Sequence, residues 1–259
     1  MSAVLQNPAT PPDLSRLLSP RGVAVIGAST DFSRIGGQPI KLLTEYGYQG
    51  QIYPVNPKYP EIKGLTCYPD VTAVPQPCDV ALIAVAGHLV PGAIEQCGKA
   101  GIAYAVILSA GFSEAGETGK ALNDKLLAAI QSSGVRVVGP NCLGVMNLDE
   151  SFRLGFGGTL QLKTLKAGPI AMVTQSGGFG FGVVAVACYH GLGFNHVIST
   201  GNEADLTALD WMEHLIERPD VEILTAFLEG TTEGKRLRRL GARALELGKP
   251  VLIWKVGNS

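Results

Sequence analysis

Cysteine is scarce and unpatterned in this sequence. The five residues, Cys67, Cys78, Cys97, Cys142 and Cys188, form no C-x-x-C pair, so neither a zinc site nor a dithiol redox motif has a basis. Their odd number and scatter suit reduced thiols. An excess of charge of either sign is also missing: 21 basic and 22 acidic residues leave a formal net charge of −1. That balance argues against a nucleic-acid partner. No apolar run reaches the ~18 residues that a membrane helix needs. The opening MSAVLQNPATPPDLSRLL lacks a basic segment followed by an apolar one, so it does not read as a signal peptide. Together these absences fit a cytoplasmic protein that engages neither nucleic acid nor membrane and holds no metal. The prolines among the first 12 residues read as a disordered lead-in.

What is present is apolar material in a repeating order. Hydrophobic residues make up 46% of the 259, enough for a core in one large or two modest domains. Nearly continuous apolar runs at 22–27, 51–55, 79–86, 103–109 and 135–138 read as strands buried on both faces. A second series follows at 169–174, 195–200, 221–228 and 250–256. Helical segments lie between them at 38–47, 91–100, 118–133, 178–190, 204–217 and 233–247. Within the third, Leu122, Leu126, Leu127 and Ile130 share one face. Strand then helix, repeated, predicts an α/β fold of parallel sheets with helices on both faces. The series breaks over 142–168, a glycine-rich stretch with weak periodicity. It reads as a link between two Rossmann-like units, the second having four strands.

Glycine and hydroxyl residues recur just past the strands. Gly27, Ala28, Ser29 and Thr30 follow the first strand and run through Arg34-Ile35-Gly36-Gly37 into a helix with Pro39 near its start. Glycines let a phosphate approach the backbone, and a helix N-terminus offers free N–H groups. A plain strand-to-helix turn explains the same glycines. The nicotinamide fingerprint is not met: Ser29 stands where its second glycine belongs. The second strand ends Val55-Asn56-Pro57-Lys58, without the acidic residue that grips a ribose; Lys58 suggests a phosphate instead. Ser109-Ala110-Gly111-Phe112-Ser113-Glu114 and Gly139-Pro140-Asn141-Cys142-Leu143-Gly144 lie past two further strands of the same sheet. Cys142 has no legible histidine partner and reads as a packing or lining residue rather than a nucleophile. In the second series, Thr174-Gln175-Ser176-Gly177-Gly178 opens a helix and makes a second anion site. Thr174 breaks the nucleophile-elbow pattern of serine hydrolases. Asp205, in Thr200-Gly201-Asn202-Glu203-Ala204-Asp205, reads equally as a helix cap or a functional group. Glu229 follows the next strand, where a carboxylate could orient a histidine. His88, in the loop after the third strand, reads as a solvated residue or a ligand contact, and His190, His196 and His214 as surface or packing residues.

In that order, GAST…IGG, SAGFSE, GPNCLG, TQSGGFGFG and STGNEADL resemble the NDP-forming acyl-CoA synthetase superfamily, which includes ADP-forming acetyl-CoA synthetases and the alpha subunit of succinyl-CoA synthetase. The resemblance spans about Leu14 to Ser259. It implies a Rossmann-like CoA-binding domain over 13–145 and a flavodoxin-like, succinyl-CoA ligase-like domain over 165–259. It implies coenzyme A at Gly27, Ser29, Thr30 and Lys58 for the phosphates. Ser109 and Ala110 line its path, and Asn141 and Cys142 lie near the thiol. Ser176, Gly177 and Gly178 receive a phosphoryl group, and Glu229 holds a phosphohistidine. The implied reaction converts acyl-CoA, phosphate and ADP to acid, ATP and CoA through an acyl phosphate. A small carboxylic acid is the substrate, and an ATP-grasp domain or subunit supplies ATP or ADP with magnesium.

Departures qualify this. Ala110 replaces a glutamate of the succinate-specific relatives, and Phe181 a tyrosine, which argues against succinate. None of the four histidines stands where the family's Ser-His-Thr-Gly follows a segment like Lys255–Ser259. The sequence therefore reads as a piece that binds CoA but does not complete ligation alone. Apolar edges left by such a cut could drive homo-oligomerisation. A stand-alone CoA-sensing module, a nicotinamide-dependent oxidoreductase and the non-catalytic part of a protein acyltransferase remain as alternatives.

Overall fold

The computed structural model describes residues 13–256. The expected lead-in over 1–12, and residues 257–259, lie outside the described residues. The first unit runs α1 (Ser15–Leu18), β1 (Gly22–Ile26), α2 (Gln38–Glu45), β2 (Gln51–Val55), β3 (Glu61–Ile62), β4 (Leu65–Thr66), β5 (Val80–Ile83), α3 (Val90–Lys99), β6 (Tyr104–Ile107), α4 (Glu117–Ser133) and β7 (Arg136–Val138). Its sheet is parallel, in the order β2-β1-β5-β6-β7. The chain leaves β1 in one direction and returns past it in the other, so strand-end loops part between β1 and β5. Ligands of doubly wound sheets bind at such a switch point.

The second unit runs β8 (Gly144–Asn147), β9 (Phe152–Gly155), β10 (Ile170–Thr174), α5 (Gly177–Tyr189), β11 (Phe194–Ser199), α6 (Ala208–Ile216), β12 (Ile223–Leu228), α7 (Gly234–Leu247) and β13 (Val251–Lys255). Its sheet has the order β13-β12-β10-β11-β8-β9. The stretch expected as a link over 142–168 is thereby corrected. It supplies β8 and β9, which add to β11 as an antiparallel edge, so the sheet has six strands rather than four. Arg153, in the middle of β9, hid the apolar pattern. It is buried, its guanidinium lies 3.6 Å from the Tyr46 ring centroid, and it donates to the carbonyls of Leu160 and Leu162 at 2.8 and 2.9 Å.

One apolar cluster joins the two sheets. Val23, Val25, Val80 and Leu82 of the first sheet belong to it together with Val145, Val173, Ile198 and Trp211 of the second unit. The opposite face of the first sheet packs separately under α3 and α4, through Ile26, Ile83, Ile94 and Ile130. Short α1 is held by burial of Leu14, Leu17 and Leu18, each contributing roughly 1.5–3 kcal/mol, and by Asn147 Nδ2 donating to Leu18 O at 3.2 Å. Helix α6 begins at Ala208, later than the expected 204, because Thr207 and Asp210 form a reciprocal capping box there. On the α5 face of the second sheet, Phe179, Phe227 and Trp254 stack, while Leu252 and Trp254 of edge strand β13 stay exposed. No helix among the described residues is long and apolar enough to cross a membrane.

Candidate functional site

The first strand-end loop is shaped by close backbone packing. A Cβ on Gly27, whose φ is +85°, would sit 2.5 Å from Ala84 O, and one on Gly36 would sit 2.0 Å from Gly27 O. Glycine is required at both positions, and the loop folds back upon itself. Gly37 and Gln38 donate their N–H groups to Arg34 O, each at 3.0 Å, so a turn covers part of the expected open end of α2. Ser29 is half-buried, and its hydroxyl accepts the Asp31 N–H at 3.1 Å. Thr30 is exposed and makes no hydrogen bond among the described residues. Asp31, the anion nearest in sequence, is paired with Arg34 at 3.2 Å. From the end of β2, Asn56 Nδ2 donates to Ala28 O at 2.8 Å and its Oδ1 accepts the Lys58 N–H at 3.0 Å. That polar pair ties the two strand ends together and leaves the exposed Lys58 ammonium without a carboxylate partner among the described residues.

Three further loops line up along the same edge. Ser109 Oγ donates to Val85 O at 2.6 Å, and the Asn141 N–H donates to Ser109 O at 2.9 Å. Ala110 is exposed beside them. Asn141, at φ 59°, turns its amide outward. Cys142 points the other way. It is 2% exposed, its Sγ lies 3.3 Å from Ile107 O, and burial pushes its pKa up to about 12. A thiol so protonated is a packing group, not a nucleophile.

At the second sheet, α5 opens with free donors. Its first internal bond runs from the Gly180 N–H to Ser176 O at 2.9 Å, and Ser176 makes no side-chain cap. The N–H groups of Gly177, Gly178 and Phe179 are therefore the orphans of the first turn. A Cβ on Gly177 would lie 2.6 Å from Leu143 Cγ and 2.9 Å from Ser199 Oγ. The helix start thus abuts the Gly139–Gly144 loop of the first unit. Glu229 is exposed at the end of β12, opposite the loop after β10 across the second switch point.

Sequence reasoning named the motifs but missed the residues that fix these loops. Gln175 Oε1 accepts the N–H groups of Glu229 and Gly230 at 2.6 and 3.0 Å, while its Nε2 donates to Gly230 O at 2.9 Å. Glu203 lies beneath. Burial raises its pKa, opposed by hydrogen bonds from Thr200, Ala208 and Gln175. Asp205 is not a helix cap; its carboxylate accepts from Arg136 and from the Val137 N–H. A polar residue one to six positions past a strand end was the available signal. The histidines are dispersed. His88 is exposed in the turn after β5, and His190 follows α5. His196 is buried on β11, and His214 lies on α6. None hydrogen-bonds to Glu229, and no metal-binding cluster occurs among the described residues. Phe181, on the inner face of α5, is buried in the core.

With this geometry in place, known proteins offer a comparison. A family model described as a CoA binding domain matches residues 21–147, and one described as a succinyl-CoA ligase like flavodoxin domain matches residues 167–259. Acetate–CoA ligase (ADP-forming) I of Archaeoglobus fulgidus is 38% identical over 95% of this chain and 35% of its own length. Acetate–CoA ligase (ADP-forming) II subunit alpha of Pyrococcus furiosus is 36% identical over 95% of this chain and 52% of its own. The apo dinucleotide-forming acetyl-coenzyme A synthetase 1 of Ca. Korarchaeum cryptofilum superposes with a TM-score of 0.88 at 35% identity, over 95% of this chain and 53% of that one. The chain spans about a third to a half of the length of the curated relatives it matches. Two matched domains in one order, across two mostly parallel sheets, place the chain in the NDP-forming acyl-CoA synthetase superfamily.

Proposed function

We propose that this chain is the CoA-binding part of an acid–thiol ligase that interconverts acyl-CoA, phosphate and ADP with acid, ATP and CoA. The observation that carries the reading is the row of touching loops along one edge: Gly27 with Ala84, Val85 with Ser109, Ser109 with Asn141, and Leu143 with the start of α5. CoA is a long ligand, with phosphates at one end and a thiol at the other. The row runs from the free groups of Thr30 and Lys58 to Asn141, and then to a helix N-terminus with unsatisfied N–H groups, which favours a phosphoryl group.

In this reading residues 13–145 bind CoA, with Gly27, Ser29, Thr30 and Lys58 at its phosphates, Ser109 and Ala110 along its path, and Asn141 near its thiol. The buried Cys142 packs behind. Residues 165–259 present Ser176, Gly177 and Gly178 to phosphate, and β8–β9 ties the two parts together. Glu229 would orient a phosphohistidine that none of the four histidines provides. An ATP-grasp domain or partner subunit would bring ATP or ADP with magnesium, and a small carboxylic acid would be released. The chain alone should then bind CoA without ligating it. Lys58→Ala should weaken CoA binding about tenfold, the scale of one charge-assisted contact. Acyl-CoA formation by the purified chain from acid, ATP and CoA would overturn the claim of incompetence; unchanged affinity in Lys58→Ala would overturn the site.

A further inference from the structure

Glu114 and Asn202 come from different units and meet at the edge where the loops converge. Glu114 stands in the short turn after the Ser109–Phe112 loop. Its carboxylate accepts the N–H groups of Gly111 and Phe112, the latter at 3.1 Å to Oε2, and it also accepts Asn202 Nδ2. A carboxylate can only accept, which fixes the orientation of the Asn202 amide. Asn202 Oδ1 must then face the other way, where it accepts Asn141 Nδ2 at 3.2 Å.

The backbone repeats the connection. The Asn202 N–H donates to Pro140 O and the Ala204 N–H to Gly139 O, both at 2.9 Å. A Cβ on Gly201 would lie 2.3 Å from Pro140 O. On its far side the same loop is tied to the second unit: the Thr200 N–H donates to Thr174 O at 2.9 Å, and the Ala208 N–H at the start of α6 donates to Glu203 Oε1 at 2.8 Å. One loop therefore bridges the two strand-end sites. Glu114–Asn202–Asn141 is its side-chain clasp, and it lies beside Ala110 and Gly111 rather than beside Lys58.

We infer that Glu114 and Asn202 are positioning residues that hold the loops after β6, β7 and β11 in register, and so shape the thiol end of the CoA path where it opens toward the start of α5. The inference rests on the CoA reading above and deepens it. The clasp acts on the pantetheine end of CoA and leaves its nucleotide end untouched.

The test separates the two ends of the ligand. Isothermal titration of the whole chain with CoA and with adenosine 3′,5′-bisphosphate, which lacks the pantetheine arm, compares the wild type with Asn202→Ala, Asn202→Asp and the double exchange Glu114→Gln/Asn202→Asp. Asn202→Asp sets two carboxylates against each other. The double exchange restores complementary donors and acceptors, because the introduced glutamine amide can donate to the introduced aspartate while its oxygen keeps the Gly111 and Phe112 N–H groups. The expected result is that CoA binds both single variants about tenfold more weakly, that the bisphosphate binds every variant as it binds the wild type, and that the double exchange regains most of the CoA affinity. Equal loss for both ligands, or single variants that bind CoA like the wild type, would overturn the clasp while leaving the CoA site standing. A folded wild type that binds neither ligand would remove the CoA reading itself and the clasp with it.

Discussion

Arg136 on β7 holds Asp205 of the second unit in a two-point grip, Nε to Oδ2 at 2.8 Å and Nη2 to Oδ1 at 3.0 Å. The Asp205 side chain is 7% exposed and also accepts the Val137 N–H at 2.8 Å. The pair therefore closes the end of one sheet onto the loop of the other. Paired forks of this kind are stronger than single ion contacts, and removing Asp205 leaves the partly buried Arg136 guanidinium and the Val137 N–H without their acceptor. Asp205→Ala should lower the unfolding free energy by about 2–3 kcal/mol, read by urea denaturation. A loss below about 0.5 kcal/mol, the scale of an ordinary surface change, would contradict the grip.

Gln175 should act locally. Its side chain satisfies two N–H groups and one carbonyl of the Glu229 turn. In Gln175→Ala the amides of Glu229 and Gly230 should exchange with deuterium markedly faster, while those of central strand β10 keep their protection. Unchanged exchange at Glu229 would show that another group holds the turn.

Much of the fold was legible, for a physical reason. Strands buried on both faces are nearly all apolar, so β2 was read at its observed ends, 51–55, and β1, β10 and β12 within two residues. The misses have equally specific causes. Arg153 breaks the apolar pattern of β9, yet the strand buries it, with Nη1 on two carbonyls and the guanidinium over the Tyr46 ring. The start of α6 was misplaced because Asp205 resembles a cap, while its partner, Arg136, lies 69 residues earlier in the chain. The site was legible as motifs, since glycines and hydroxyls past strand ends are local signals. Glu114, Gln175 and Asn202 were visible only as polar residues past strand ends; their roles were not, because Gln175 reaches the Glu229 turn and Glu114 and Asn202 meet across two loops.

His196 gives a pH dependence with a definite sign. Its ring is fully buried on β11, and burial pushes its pKa from 6.5 down to about 4, against the opposing hydrogen bond from its Nε2 to Asp220 at 3.0 Å. The unfolded chain therefore takes up this proton first as pH falls. The contribution is full above about 6.5 and is lost on the way to about 4. Between pH 7 and 5 it should cost about 2 kcal/mol. Glu203, whose pKa is raised by burial, works in the opposite sense, so the readout is the difference between wild type and His196→Gln. Parallel stability curves for the two proteins would contradict the assignment.

The thiols should be silent in the folded state. Cys78, Cys97 and Cys142 are each pushed up to about 12 by burial, and all five cysteines are buried. Iodoacetamide at pH 8 should label none of them until denaturant is added. Rapid native labelling of Cys142 would revive a nucleophilic role.

The central claim is a CoA site whose phosphate end lies at Ser29, Thr30 and Lys58. Isothermal titration of the folded chain with CoA, dephospho-CoA and NAD tests it most directly. The account predicts that CoA binds, that loss of the 3′-phosphate weakens binding about tenfold, and that NAD gives no heat. A folded chain that ignores CoA, or that binds NAD without competition from CoA, would contradict it.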